Sequence, residues 1–98
     1  MVINKIKDGS TLTVSVSGRL DTVTAPQLES ELNSSIDGVT ELILDFSTLE
    51  YISSAGLRVL LSAQKKMNTQ GKMTVTNINE TVAEIFEVTG FSDILNIG

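Results

Sequence analysis

The chain has no cysteine and no histidine, and its only proline is Pro26. Without cysteine, neither disulfides nor thiolate metal sites can brace the fold. Without histidine, the usual general base and the commonest metal ligand are both missing. Any catalysis would have to run on carboxylates, lysines and hydroxyls, and no cofactor is expected. Basic residues are also sparse. The seven present (Lys5, Lys7, Arg19, Arg58, Lys65, Lys66, Lys72) are scattered along a chain of net charge -5. A nucleic-acid binder needs a basic stripe to neutralise phosphates, so direct binding of nucleic acid is not expected. No apolar run approaches the ~20 residues that span a bilayer, and no charged segment followed by an apolar one opens the sequence. The expectation is a cytoplasmic protein without a membrane partner. On that reading the glycosylation patterns at Asn33-Ser34-Ser35 and Asn79-Glu80-Thr81 are chance matches.

What is present suffices for one domain spanning residues 1–98. Of the 98 residues, 41% are hydrophobic and 19% charged, a balance that builds a core and argues against disorder. There is no repeat, low-complexity tract or linker. Residues 2–7 and 11–17 read as strands joined by an Asp8-Gly9 hairpin turn. In the second strand Leu12, Val14 and Val16 alternate with Thr11, Thr13, Ser15 and Ser17, which gives one buried and one wet face. Thr24 and Gln27 form a capping-box pattern before the first helix, with Val23 and Leu28 spaced for a hydrophobic staple. Pro26 falls in the first turn, where its missing N–H costs nothing. Leu28, Leu32 and Ile36 line one face, and Asp37-Gly38 is the stop.

Leu42-Ile43-Leu44 with Phe46 reads as a central strand. A second helix is predicted from about Ser54 to Met67, with Leu57, Val59, Leu60, Leu61, Ala63 and Met67 on its apolar side. Gly71 ends that connection, and residues 72–77 form a fourth strand with Met73 and Val75 inward. Asn79 caps a third helix carrying Val82, Ile85 and Phe86, stopped near Gly90. Residues 91–95 read as a short docking helix. The order is β-β-α-β-α-β-α. Two crossovers make strands two, three and four parallel, with the first strand antiparallel at an edge. The wet face of strand two predicts helices mainly on one face of the sheet.

In parallel units the loops leaving the carboxyl ends of the strands gather at one edge, where function usually sits. Here those loops are residues 18–23, 47–53 and 77–79. This places Asp21, Thr22, Thr24, Ser53 and Ser54 near one another. A serine at a helix start normally caps it, a role worth about 1 kcal/mol, and one cap needs one serine. If Ser53 caps, Ser54 takes the first helical position with its hydroxyl toward solvent. Ala55 and Gly56 would leave the surface beside it bare for a partner. Gly56 has a second reading, close packing of helix on sheet. A phosphate on Ser54 would be favoured by the helix N-terminus and would add about -1.5 to -2 charge near Asp21.

Two motifs then resemble a known family. They are Gly18-Arg19-Leu20-Asp21-Thr22-Val23-Thr24-Ala25, and Leu44-Asp45-Phe46-Ser47 followed by Tyr51-Ile52-Ser53-Ser54-Ala55-Gly56-Leu57. At this spacing and chain length they are similar to the STAS family, and within it to the bacterial single-domain anti-sigma factor antagonists. The resemblance covers essentially the whole chain and implies the STAS fold: an α/β domain with a mixed, mostly parallel sheet of about four strands. It also implies no enzyme activity but a partner switch in transcription regulation. The unphosphorylated antagonist binds an anti-sigma factor, a serine kinase with a histidine-kinase-like ATPase fold, and so frees the sigma factor. Phosphorylation of a serine at the start of the second helix, here Ser54, ends binding. A PP2C-type phosphatase resets the cycle. Asp21 matches an acidic residue near the kinase contact, and Arg58 is carried over as a rim contact.

Two positions depart from the pattern. Many members have Asp where this chain has Ser53, and Ser or Thr where it has Ala55. The lost carboxylate bears on which kinase acts, and the lost hydroxyl leaves Ser53 and Ser54 as the only acceptors. Two other readings remain: a non-switching STAS scaffold or subunit of a larger assembly such as a lipid-transport complex, and an enzyme. Ser62-Ala63-Gln64-Lys65 matches the S-x-x-K pattern of serine acyl-enzymes, but the chain is too short for that fold and lacks the companion motifs.

Overall fold

The computed structural model describes all 98 residues. Strand β1 (Val2–Asp8) pairs antiparallel with β2 (Thr11–Leu20), which runs parallel to β3 (Glu41–Ile52), itself parallel to β4 (Lys72–Thr76). Helix α1 (Ala25–Ser35) connects β2 to β3, and α2 (Ser54–Gln70) connects β3 to β4. Helix α3 (Glu80–Val88) and a 3-10 turn at Phe91–Asp93 follow. The sheet order is β1-β2-β3-β4, as the two crossovers require.

Cross-strand register explains the core. Leu12, Leu42 and Met73 stand in one row across the sheet, and Val14, Leu44 and Val75 in the next. All six are buried, together with Leu28 and Leu32 of α1, Leu57, Leu60 and Met67 of α2, and Val82 and Phe86 of α3. The three helices thus cover one face of the sheet. On the other face Thr13, Ile43 and Thr74 form a half-buried row flanked by exposed Ile6. The alternation seen in the sequence of β2 is this difference between the two faces.

Several boundaries differ from the sequence reading, each for a local reason. The hairpin ladder runs on to Asp8 opposite Thr11, so the two-residue loop is Gly9-Ser10 and not Asp8-Gly9. Of these two loop residues only Gly9 has a positive φ (63°), and glycine in the first loop position fits the type II′ hairpin. Strand β3 does not stop at Phe46. Between Ser15/Ser17 and Gly18/Arg19 the register with β2 shifts, each time with one extra residue on β3. Such bulges break the period of two, so Ser47 and Thr48 are both exposed before Leu49 and Ile52 turn back into the core. Residues 47–52, expected as a loop, are therefore strand. Gly18 takes φ 93° at the second shift, and β2 continues to Leu20.

Helix α2 outruns its expected end and stops where Gly71 meets the chain before β3. A Cβ on Gly71 would lie 1.9 Å from the Thr40 carbonyl oxygen, which also accepts the Lys72 N–H at 2.9 Å. Asn79 caps α3 as expected, its Oδ1 accepting the Val82 N–H at 2.8 Å. After the 3-10 turn, Leu95 is buried and Ile97 bridges to Val75, so the tail lies along the free edge of β4. No helix is long and apolar enough to cross a membrane.

Candidate functional site

The parallel strands β2 and β3 end side by side, with Leu20 paired to Ile52. The Ser53 N–H donates to the Leu20 carbonyl at 2.8 Å, so the chain leaving β3 is tied to the residue just before Asp21. This bond brings the start of α2 and the β2–α1 turn to one edge, as the topology predicts. Every expected site residue belongs to one of these two segments.

The β2–α1 turn is built around Asp21. Its Oδ1 accepts the N–H groups of Val23 (3.0 Å) and Thr24 (3.2 Å), and its carbonyl accepts the Ala25 N–H at 2.8 Å. The Thr24 hydroxyl accepts the Asp21 N–H at 2.9 Å and donates to the Arg19 carbonyl at 2.7 Å. This is a reciprocal capping box, but its members are Asp21 and Thr24 rather than the expected Thr24 and Gln27. The Thr24 side chain makes no cap bond to the helix that follows. One helical turn therefore precedes α1. Pro26 has no N–H for the Thr22 carbonyl, which separates that turn from the helix proper. With the cap three residues earlier, the staple is lost too: Leu28 is fully buried, whereas Val23 is 86% exposed.

The box sets the charge of Asp21. The Thr24 N–H, then the Val23 N–H and the Thr24 hydroxyl, hold its carboxyl below the usual carboxylate value against partial desolvation, with a smaller contribution from the Arg19 charge. Asp21 is thus ionised at neutral pH and fixed in place. Arg19 itself lies over the ring of Tyr51, its register partner on β3, at 4.4 Å from the ring centre. That cation–π pair was not expected from the sequence.

At the start of α2 the capping expectation also needs correction. Ser53 has the extended backbone of an N-cap (φ -96°, ψ 176°) and its carbonyl accepts the Leu57 N–H at 2.9 Å. Its hydroxyl, however, caps nothing: Oγ is buried with no hydrogen-bond partner. The N–H groups of Ser54, Ala55 and Gly56 accordingly find no acceptor in the chain, as the first donors of a helix do without a cap. Ser54 is exposed at the first helical position and Ala55 is half-buried. Gly56 is buried, and a Cβ there would meet Leu20 and Ile52 at 2.7 Å, so its smallness serves the close approach of α2 to the sheet. Arg58 is exposed one turn further on, outside both salt bridges of the molecule, Lys5–Glu31 and Lys66–Asp37. Thr22 is exposed beside Val23.

A second network fixes the same edge from the β4 side. Asp45 accepts the Ser47 N–H at 3.0 Å and the Asn77 side-chain amide at 3.1 Å. The Asn77 amide, then the Ser47 N–H, lower its pKa against partial desolvation. Asn77 takes a left-handed backbone (φ 59°), which Asn tolerates better than most residues. The Asn79 amide donates to the Leu49 carbonyl at 2.9 Å. These bonds brace the bulged end of β3 that delivers Ser53 and Ser54. Asp45 lay within a motif singled out in the sequence, but nothing there pointed to a partner 32 residues away.

No three acidic side chains converge to hold a metal ion. A shallow groove open to solvent lies between α1 and α2 against Leu32, Ile36, Val59 and Ala63, and no site residue lines it. Chemically, the edge offers an exposed hydroxyl with unpaired N–H groups behind it, beside a fixed carboxylate.

The STAS domain model matches residues 2–98. The chain is 39% identical over 82 residues to a Bordetella bronchiseptica protein that bears the name anti-sigma factor antagonist BtrV, covering 82% of this chain and 71% of that one. Among solved structures, an anti-sigma factor antagonist from Mycobacterium paratuberculosis superposes with a TM-score of 0.89 at 26% identity, covering 98% of this chain and 83% of the other. The Bacillus cell fate determinant SpoIIAA in its phosphorylated form gives a TM-score of 0.77 at 19% identity over 99% and 91% of the two chains, a likeness of fold.

Proposed function

The chain belongs to the STAS domain family, and on that premise we propose that it is an anti-sigma factor antagonist whose binding is switched off by phosphorylation of Ser54. Its relatives from Bordetella and Mycobacterium carry the antagonist name. In this reading the unphosphorylated chain binds a cognate anti-sigma factor, a serine kinase of the histidine-kinase-like ATPase type, in the cytoplasm and so releases the sigma factor. The kinase phosphorylates Ser54, and a PP2C-type phosphatase removes the phosphate. The chain itself acts as a binding partner and catalyses nothing.

The observation that carries this reading is the state of Ser54: an exposed hydroxyl at the first position of α2, followed by the half-buried Ala55 and the buried Gly56. A kinase active site can close over such a hydroxyl without obstruction. A phosphate there adds about -1.5 to -2 charge beside ionised Asp21, on a surface that must desolvate to dock. Repulsion and desolvation end binding without any refolding. Exposed Thr22, Ser54 and Arg58 and half-buried Asp21 and Ala55 supply the contacts, while Thr24, Ser53 and Gly56 shape the edge from beneath.

The test is a pull-down from native cell extract with phosphopeptide mapping of the bait. It should recover an ATPase-type kinase with unmodified chain and find the phosphate on Ser54, and Ser54→Ala should bind constitutively. A chain that never carries phosphate while keeping its partners is a non-switching scaffold, and the switch is then wrong.

A further inference from the structure

The two edges of the sheet are finished differently. Beyond β4 the tail supplies a partner: the Val75 N–H donates to the Asn96 carbonyl at 2.9 Å, and the Gly98 N–H to the Val75 carbonyl at 3.0 Å. Beyond β1 there is no further strand. Such an edge presents a row of unpaired backbone donors and acceptors, and folds ordinarily blunt it with proline, bulges or charge. Strand β1 has no proline, and its register with β2 is unbroken from Val2 to Asp8. It is exposed except at Ile3, and it carries two large exposed apolar side chains, Val2 (58%) and Ile6 (68%). Its blunting devices are Lys5 and Lys7. Lys5, however, is turned onto α1, its ammonium 2.6 Å from a Glu31 oxygen and donating to the Ser35 hydroxyl at 2.9 Å.

The hairpin decides which groups of β1 point outward. Asp8 and Thr11 flank a two-residue loop and so exchange both hydrogen bonds, and in alternation so do Ile6 with Thr13, Asn4 with Ser15 and Val2 with Ser17. The N–H and C=O groups of Ile3, Lys5 and Lys7 are left facing outward. We propose that the occupant of this edge is β1 of a second copy, running antiparallel about a two-fold axis at Asn4. Two identical strands paired in this way form a self-complementary contact, so the axis fixes every pair. The outward groups of Ile3 then meet those of its partner's Lys5, twice over, and Lys7 faces Met1. Val2 faces Ile6, also twice, on the sheet face free of helices and in positions where cross-strand side chains approach most closely. The stem of Lys5 covers Ile3, the two Asn4 amides meet on the axis, and no two charged side chains are opposed. The neighbouring registers that use the same outward groups are worse. An axis at Lys5 sets the two lysines against each other and Val2 against Asp8, and an axis at Ile3 leaves Ile6 with no apolar partner. The product is one continuous sheet with four strands from each copy. Ser54 and the β2–α1 turn lie outside the pairing, so the inference does not rest on the antagonist reading. Only the seven residues of β1 and Met1 pair on each side, well short of the roughly 20–30 of a standard interface, so the dimer should be weak and reversible.

The test is sedimentation equilibrium of the full chain from about 1 μM to about 200 μM, where a weak dimer passes from dissociated to populated. Four samples accompany wild type: Asn4→Asp, Asn4→Lys, an equimolar mixture of the two, and Ser54→Asp. Asn4 is exposed, so the fold should be unchanged by circular dichroism in each. Wild type should dimerise over this range. Asn4→Asp and Asn4→Lys each set like charges directly opposite across the axis and should each self-associate about fivefold more weakly or worse. Their mixture should recover at least the wild-type affinity, because opposite charges then meet on the axis. Ser54→Asp should dimerise like wild type. A wild type that stays monomeric throughout overturns the proposal, as does an Asn4→Asp that dimerises as wild type does. Failure of the mixture to recover overturns the axis at Asn4, and loss of the dimer in Ser54→Asp moves the contact away from β1.

Discussion

Adding one methyl group at Gly56 should destabilise the protein, although alanine is the better helix former. The Cβ of Gly56→Ala would lie 2.7 Å from Ile52 Cγ1, 2.7 Å from Leu20 Cγ and 3.1 Å from Leu20 Cδ2. Carbon atoms in ordinary contact sit about 3.5–4.0 Å apart, so the shortfall approaches 1 Å. Neither neighbour can yield cheaply. Leu20 and Ile52 are 0% and 1% exposed, are paired to each other across β2 and β3, and their two nearest atoms, Leu20 Cγ and Ile52 Cγ1, lie inside the side chains rather than at their ends. Overpacking of this kind costs about 1–3 kcal/mol. The gain in helix propensity is at most about 1 kcal/mol, and less in the first turn. The net expectation is a loss of about 1–2 kcal/mol, with Tm falling about 4–8 °C for each kcal/mol in a domain of this size. Urea unfolding followed by circular dichroism should show a lower midpoint at unchanged slope. A midpoint equal to or above wild type would refute the packing argument and return Gly56 to the role of a bare surface.

The buried Ser53 hydroxyl has no partner, so Ser53→Ala should leave stability within about 0.5 kcal/mol of wild type or raise it. A loss near 1 kcal/mol in the same urea assay would mean that Ser53 caps α2 after all. Asp21 should give the protein an acid-sensitive component of stability. Its folded pKa is lowered, so its contribution is present above the ordinary carboxylate value and is lost as pH falls through the lower folded value. Asp21→Asn, which keeps an acceptor oxygen, should flatten the fall in stability as pH drops below the ordinary carboxylate value. Parallel stability curves for the two proteins would show that the Asp21 box has no such effect.

The buried alternation of β2 and the apolar run at the start of β3 were legible because register turns them directly into the rows Leu12–Leu42–Met73 and Val14–Leu44–Val75. The rest of β3 was not, since two extra residues break the period that reveals a strand. The edge that gathers Asp21, Thr22, Thr24, Ser53 and Ser54 followed from the parallel crossovers alone. Its local chemistry did not. Thr24 with Gln27 satisfies the sequence rule for a capping box, whereas Asp21 with Thr24 has no Glu or Gln at the third position and does not. Only the folded turn, with the Thr24 hydroxyl anchored to the Arg19 carbonyl, decides between them. The displaced cap in turn exposes Val23. Likewise, two serines in a row made Ser53 look like a cap, and nothing local foretold that its hydroxyl is buried without a partner. The links from Asp45 to Asn77 and from Asn79 to Leu49 join residues about thirty apart, beyond any short motif.

The central claim is that one phosphate on Ser54 turns binding off without altering the fold. The most direct measurement is the affinity of the unphosphorylated and the Ser54-phosphorylated chain for the cognate kinase, with the circular dichroism of both. A like-charge or poorly desolvated contact costs several kcal/mol, so phosphorylation should weaken binding by about a hundredfold or more while the spectra coincide. Equal affinities, or a loss of binding accompanied by a loss of structure, would contradict the account.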